Sequence, residues 1–169
     1  MNEIPNQVQR PVGMTILLVL SLINAIYQIV ASIITFFLMP MMKVMMENGQ
    51  FEELMENFMP TIDPAMLETL TTNLSVQLSV SPFYYLLLAA LYAGSLVGVL
   101  KMFKLQRLGF HIYSISQLLI LIAEVAFVYA KLPQSPFFNE FLTTLLFILI
   151  YHLFFKRIEF MQNQPNQPQ

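Results

Sequence analysis

The 169-residue chain contains no cysteine, and only 11% of its residues are charged. The first absence removes disulfides, thiolate metal sites and cysteine nucleophiles together. The second falls well below the quarter or so usual in soluble domains, and leaves too little polar surface to cover a soluble core. A basic field is missing too: the net charge of −2 excludes an electrostatic surface for nucleic acid. The sequence has no nucleophile elbow, no HExxH, no phosphate loop, no rhomboid-like Ser/His arrangement and no paired spacing of carboxylates. No enzyme class therefore has a motif behind it, and no cofactor is expected. The few glycines form none of the broken-helix Gly/Pro pairs that transporters place at the membrane midplane.

What fills the chain instead is apolar, 57% of all residues. A membrane-crossing helix needs roughly 20 apolar residues, and four windows supply them: 12–39, 82–103, 108–130 and 136–155. The second and fourth open with a Ser-Pro-Phe tripeptide, at Ser81 to Phe83 and Ser135 to Phe137, which reads as a serine N-cap with proline at the first helical position. The repeat also suggests duplication of a two-helix hairpin, although little else aligns. Arg10 precedes the first window as it would in a signal peptide, but the apolar run is too long and lacks an A-x-A site, so an uncleaved signal anchor is expected.

Arg10, Lys101, Lys104, Arg107, Lys156 and Arg157 fall on one side of such a four-span chain, and only Lys43 and Lys131 on the other. The positive-inside rule then places both termini in the cytoplasm. The polar ends, 1–11 and 160–169, are too short and too rich in Pro, Gln and Asn to fold. Residues 40–80 form the one substantial segment outside the spans. Met41, Val44, Met45, Phe51, Leu54, Met55 and Phe58 recur near helical spacing, with Gly49 between them. Asp63-Pro64 then reads as a cap and helix start, and Leu67, Leu70, Leu74 and Leu78 make one stripe. The period-two pattern of LSVQLSV leaves a strand as the alternative. The expected fold is an all-α membrane protein, a four-transmembrane-helix bundle with an extracytoplasmic amphipathic helical hairpin between spans one and two. The loop's methionines suit burial against lipid or the bundle mouth, or an adaptable binding surface. Soft ligation of Cu(I) is the remote alternative, with no Cys or His to assist it.

Polar residues inside the spans are the candidate site. Ser21, Asn24, Gln28, Ser32 and Thr35 occupy one face of span one. Polar groups facing lipid lose their hydrogen bonds, so this face should point into the bundle, as inter-helix glue or as the lining of a narrow path. Gln117 and Glu124 share a face of span three. At 1.5 Å per residue, Glu124 lies about 10 Å from Lys131, in the outer third of the membrane. It can snorkel, bond the polar face of span one, or take up a proton. Ala90, Gly94 and Gly98 of span two are spaced four apart for close helix packing, against another span or another copy of the chain. His111 and His152 share a depth near the basic end; two histidines without matched carboxylates make a poor metal site, and an interfacial role is expected.

Three stretches, RPVGMTILLVLSLINAI, VGVLKMFKLQRLGFHIYSISQLL with Gly109, Phe110 and Tyr113, and IYHLFFKRIEFM, resemble a group of small bacterial four-span membrane proteins to which no activity is attached. The resemblance implies the same topology and an inner-membrane location, and it supplies no functional residues. The reading from sequence is a non-enzymatic membrane protein acting by interaction, as a scaffold, accessory or envelope-associated subunit. Its partners would be the lipid bilayer and either a homo-oligomer or another membrane protein. The alternative is a small transporter or channel component using the span-one stripe and Glu124.

Overall fold

A computed structural model describes residues 11–58, 63–131 and 137–162, whose regular elements are all helices, with no strand among them. The helices are α1 (Val12–Glu47), α2 (Gln50–Phe58), α3 (Pro64–Leu78), α4 (Phe83–Phe103), α5 (Arg107–Phe127) and α6 (Phe137–Gln162), with a 3-10 turn at Tyr129–Lys131. Four of them, α1, α4, α5 and α6, are long and apolar enough to cross a membrane. Their outer surfaces carry Ile16, Ile23, Leu119, Ile122, Leu146 and Leu149, all exposed. An apolar exterior of this extent is untenable in water and natural in lipid. By length and composition the chain is suited to be an integral membrane protein.

The first helix departs most from expectation. It does not stop at residue 39 but runs through Pro40 to Glu47, 36 residues in all. At 1.5 Å per residue that is about 54 Å, against a hydrocarbon core of about 30 Å, so α1 is far longer than a crossing requires. Pro40 removes one hydrogen bond, but its fixed φ is helical and the helix continues. The break comes at Gly49, which takes φ +69°, a conformation only glycine adopts readily. Asp63 caps α3, its carboxylate accepting from the Ala65 N–H at 2.9 Å. Helix α3 continues to Leu78, so the strand alternative fails. Leu74 and Leu78 pack with Met39, Met42 and Met46 of α1, while Leu70 is exposed. Helices α2 and α3 each lie against α1, and among the described residues they show no close packing on one another.

Helix α4 lies at the centre, packed extensively against both α1 and α5, while α6 is held far more lightly. The cap position falls on Pro82, not Ser81, and Pro82 already has helical angles before α4 begins at Phe83. The second Ser-Pro-Phe lies partly outside the described residues. The α4–α5 turn is three residues long and forces Leu105 to φ +57°. That left-handed conformation costs roughly 1–2 kcal/mol in a non-glycine residue, and the Leu105 side chain offsets it by packing on the core at this end. Beyond the turn, Gly98 of α4 and Gly109 of α5 meet backbone to backbone. A Cβ on Gly98 would lie 2.6 Å from the Tyr113 nitrogen, and one on Gly109 2.6 Å from the Gly98 oxygen. The partner of the GxxxG motif is thus a span of the same chain. Gly94 joins this seam against Ser116, whereas Ala90 is exposed and takes no part in it.

Candidate functional site

Ser21, Asn24, Gln28, Gln117 and Glu124 all border one cleft of about 510 Å³. The cleft lies between α1, α4, α5 and α6, and its wall includes Tyr92, Tyr113, Asn139, Glu140, Thr143, Thr144 and Phe147. Ser32 and Thr35, the remaining members of the span-one stripe, lie outside it: Ser32 is buried and Thr35 half-buried. From Tyr113 to Glu124 the wall follows α5 over eleven residue-to-residue steps, a rise of about 16 Å, or half the hydrocarbon thickness. The light packing of α6 leaves this space, since its polar residues Asn139, Glu140, Thr143 and Thr144 face the cleft rather than closing it.

Each end of the cleft has its own chemistry. At the end near the α4–α5 turn, Tyr151 of α6 is fully buried and shares a 2.8 Å hydrogen bond with Ser21 of α1. Its ring meets that of Tyr113 edge to face at 5.2 Å. These residues sit on the core cluster of Met14, Leu18, Val99 and Met102, which seals this end. Midway along, Gln117 Nε2 donates to Ser95 Oγ at 3.0 Å, so one of the candidate residues is committed to a structural hydrogen bond with α4.

The opposite end is acidic. Helix α5 ends at Phe127, three residues short of the expected span, so Glu124 stands in its last turn and not deeper inside the helix. The chain then turns through Tyr129, whose hydroxyl lies between two carboxylates: it donates to Glu140 Oε2 and lies 3.3 Å from Glu124 Oε2. Burial, and then the hydrogen bond to Glu140, push the Tyr129 hydroxyl above its ordinary range, so it stays a donor. One hydroxyl proton cannot serve two carboxylates fully. A further proton or a cation between them would supply what the hydroxyl lacks.

Glu140 is the functional candidate that the sequence reading missed: no paired spacing of carboxylates stands out along the sequence, yet Glu124 and Glu140 meet at Tyr129. They are paired across a helix–turn–helix, not along one helix. The available signal was mirror spacing, with Glu124 and Glu140 eight residues either side of Leu132 in an antiparallel hairpin. Among the described residues, no group of three or more His, Asp or Glu side chains could hold a metal ion.

No family model matches the chain, and neither the curated proteins nor the solved structures searched contain a match. The geometry therefore carries the functional reading by itself.

Proposed function

We propose that the protein is a small transporter or channel component, not an enzyme, in which the cleft is the binding chamber and Glu124 with Glu140 holds a proton or small monovalent cation. The observation that carries this reading is convergence. Polar side chains from α1 and α5 border the same space, and α6 adds a second carboxylate beside Glu124. Ionisable groups at membrane depth are costly and are retained mainly where they act. In this reading Tyr129 orients the two acids, Asn24 and Gln28 line the way inward, and the Ser21–Tyr151 contact is the closed inner end. Transport would require that contact to part.

The same reading sets the chain in a bacterial inner membrane with both termini cytoplasmic. The orientation is supported by the distribution of lysine and arginine along the sequence, and the inner-membrane placement by the resemblance alone. The cleft would then open outward.

Flux in proteoliposomes tests the proposal. Wild-type protein should pass protons or Na⁺ above the rate of protein-free vesicles, and Glu124→Gln should lose that flux while eluting as the wild type does. If wild type adds nothing to the vesicle leak, or E124Q conducts equally, the chamber is not a pathway.

The interaction reading keeps one specific support. Met41, Val44, Leu54, Phe58, Met66 and Leu70 are exposed on the C-terminal part of α1 and on α2 and α3, beyond the length a crossing needs. Apolar side chains there suit the membrane surface or a protein partner, a second copy of the chain included. Cross-linking in native membranes through this segment, with recovery of a single discrete product, would favour that reading.

A further inference from the structure

The cleft at Glu124 and Glu140 is far larger than a proton or a bare cation requires. A water takes up about 30 Å³ in the liquid, so 510 Å³ is room for roughly seventeen of them. That volume falls within the range of pockets for organic ligands, about 300–1,000 Å³, which are mostly apolar with a few placed polar groups.

The lining changes along its length in that sense. Glu124 and Glu140 stand at one end, with the Tyr129 hydroxyl between them. One helical turn toward the sealed end lies Ile120, buried in one cluster with Tyr92 of α4, and Leu121 is buried beside it. Phe147 borders the same space seven residues from Glu140 along α6, a rise of about 10 Å.

We propose that the chamber takes an organic amine, its ammonium group between Glu124 and Glu140 and its apolar body against Tyr92, Ile120 and Phe147. The inference rests on the reading of the cleft as a binding chamber and names its ligand class. An amine protonated at neutral pH carries several N–H donors, as a lysine ammonium does. The carboxylate pair is short of donors, because one hydroxyl proton is shared between two acceptors. A sodium ion neutralises the pair but gives the apolar wall nothing to bury. A quaternary ammonium brings charge and an apolar body but no N–H. A lipid acyl chain fits the apolar wall and brings no charge to the acids. The protonated amine alone among these meets both ends of the chamber, and the two aromatic rings supply large apolar area for its body.

The test uses the full chain in a neutral detergent at neutral pH, with isothermal titration calorimetry and empty micelles as the blank. Phenylbutylamine should bind wild type on the order of tenfold more tightly than its trimethylammonium analogue or phenylbutanol, each of which lacks the charged N–H donor. Affinity should rise from methylamine through butylamine to phenylbutylamine, and Phe147→Ala should flatten the last step. Glu124→Gln/Glu140→Gln should lose the preference for amine over alcohol. Equal affinity for the three phenylbutyl compounds overturns the proposal, as does methylamine binding as tightly as phenylbutylamine. Both are wild-type comparisons, so they decide the matter even if a variant fails to fold. Proton or Na⁺ flux without amine binding also overturns it and leaves the pathway reading standing. Amine binding without flux of any cation supports it and removes transport from that reading.

Discussion

Helix α5 has two neighbours and treats them oppositely. Toward α4 it presents Gly109, Tyr113 and Ser116, and the two backbones come so close at Gly98 that no side chain fits between them. Toward α6 it presents Glu124, while Gln117 borders the cleft but bonds back to Ser95 of α4, and α5 and α6 stand apart around a polar cleft. In lipid there is little hydrophobic drive to bring helices together, so small residues decide where they touch. Where the facing residues are glycine and serine the gap closes. Where they are amides, carboxylates and threonines, it stays open and wettable.

The largest effect should come from filling the closed seam. Gly98→Leu places a side chain against the backbone of Tyr113 and Gly109, neither of which can rotate away. Overpacking usually costs 1–3 kcal/mol, and a backbone neighbour puts this change at the upper end, about 3 kcal/mol or more. Thermal unfolding in detergent should show the loss, and size-exclusion chromatography should show aggregated protein. A G98L protein as stable as wild type would mean that α4 and α5 do not meet at this point.

On the open side, the acids should behave as a unit. Glu140→Gln should reduce cation or proton flux as Glu124→Gln does, by tenfold or more, and the double variant should be little worse than either single one. Tyr129→Phe removes the hydroxyl between them and should cost about tenfold, since a hydrogen bond to a charged group is worth roughly 1.5–3 kcal/mol. Additive losses would show two independent carboxylates. Because the chain has no cysteine, Asn24→Cys gives a single thiol whose reaction with a membrane-impermeant reagent reports which side the cleft opens to.

The sealed end of the cleft lies between these extremes. Tyr151→Phe leaves the Ser21 hydroxyl without its 2.8 Å partner in a buried setting. The expected loss is about 1 kcal/mol in unfolding. If this contact closes a path, the same variant should raise basal leak in vesicles, which a merely structural hydrogen bond would not do.

Much of this contrast is legible in the residues. Hydropathy and length mark four spans, because lipid imposes one simple demand on every crossing segment. The three- and four-residue steps of Ser21, Asn24 and Gln28 show a shared face, and the structure sets that face on the cleft. Two things were hidden for a common reason: they are relations between helices. Gly109 is unremarkable until the turn folds it onto Gly98, and Glu140 looks peripheral until the next hairpin brings it to Tyr129. The true end of α1 was obscured differently. The window of apolar residues closes at residue 39, but Pro40 is accommodated within the helix, and the positive φ that ends the run comes only at Gly49.

The smallest change tests the seam where it is softest. A Cβ on Gly94 would lie 2.8 Å from Ser116 Oγ and 3.8 Å from Ser116 Cβ, with no backbone atom closer. The near atom is the end of a side chain with one rotatable bond, so Ser116 can turn aside where Tyr113 and Gly109 cannot. Replacing glycine by alanine inside a helix also gains up to about 1 kcal/mol of propensity, which opposes the crowding. Gly94→Ala should therefore shift unfolding by no more than about 0.5 kcal/mol in either direction. Adding Ser116→Ala should remove the clash and leave the propensity gain, raising stability above wild type. If G94A proves as damaging as G98L, the helices approach as closely at Gly94 as at Gly98, and the seam has no soft end.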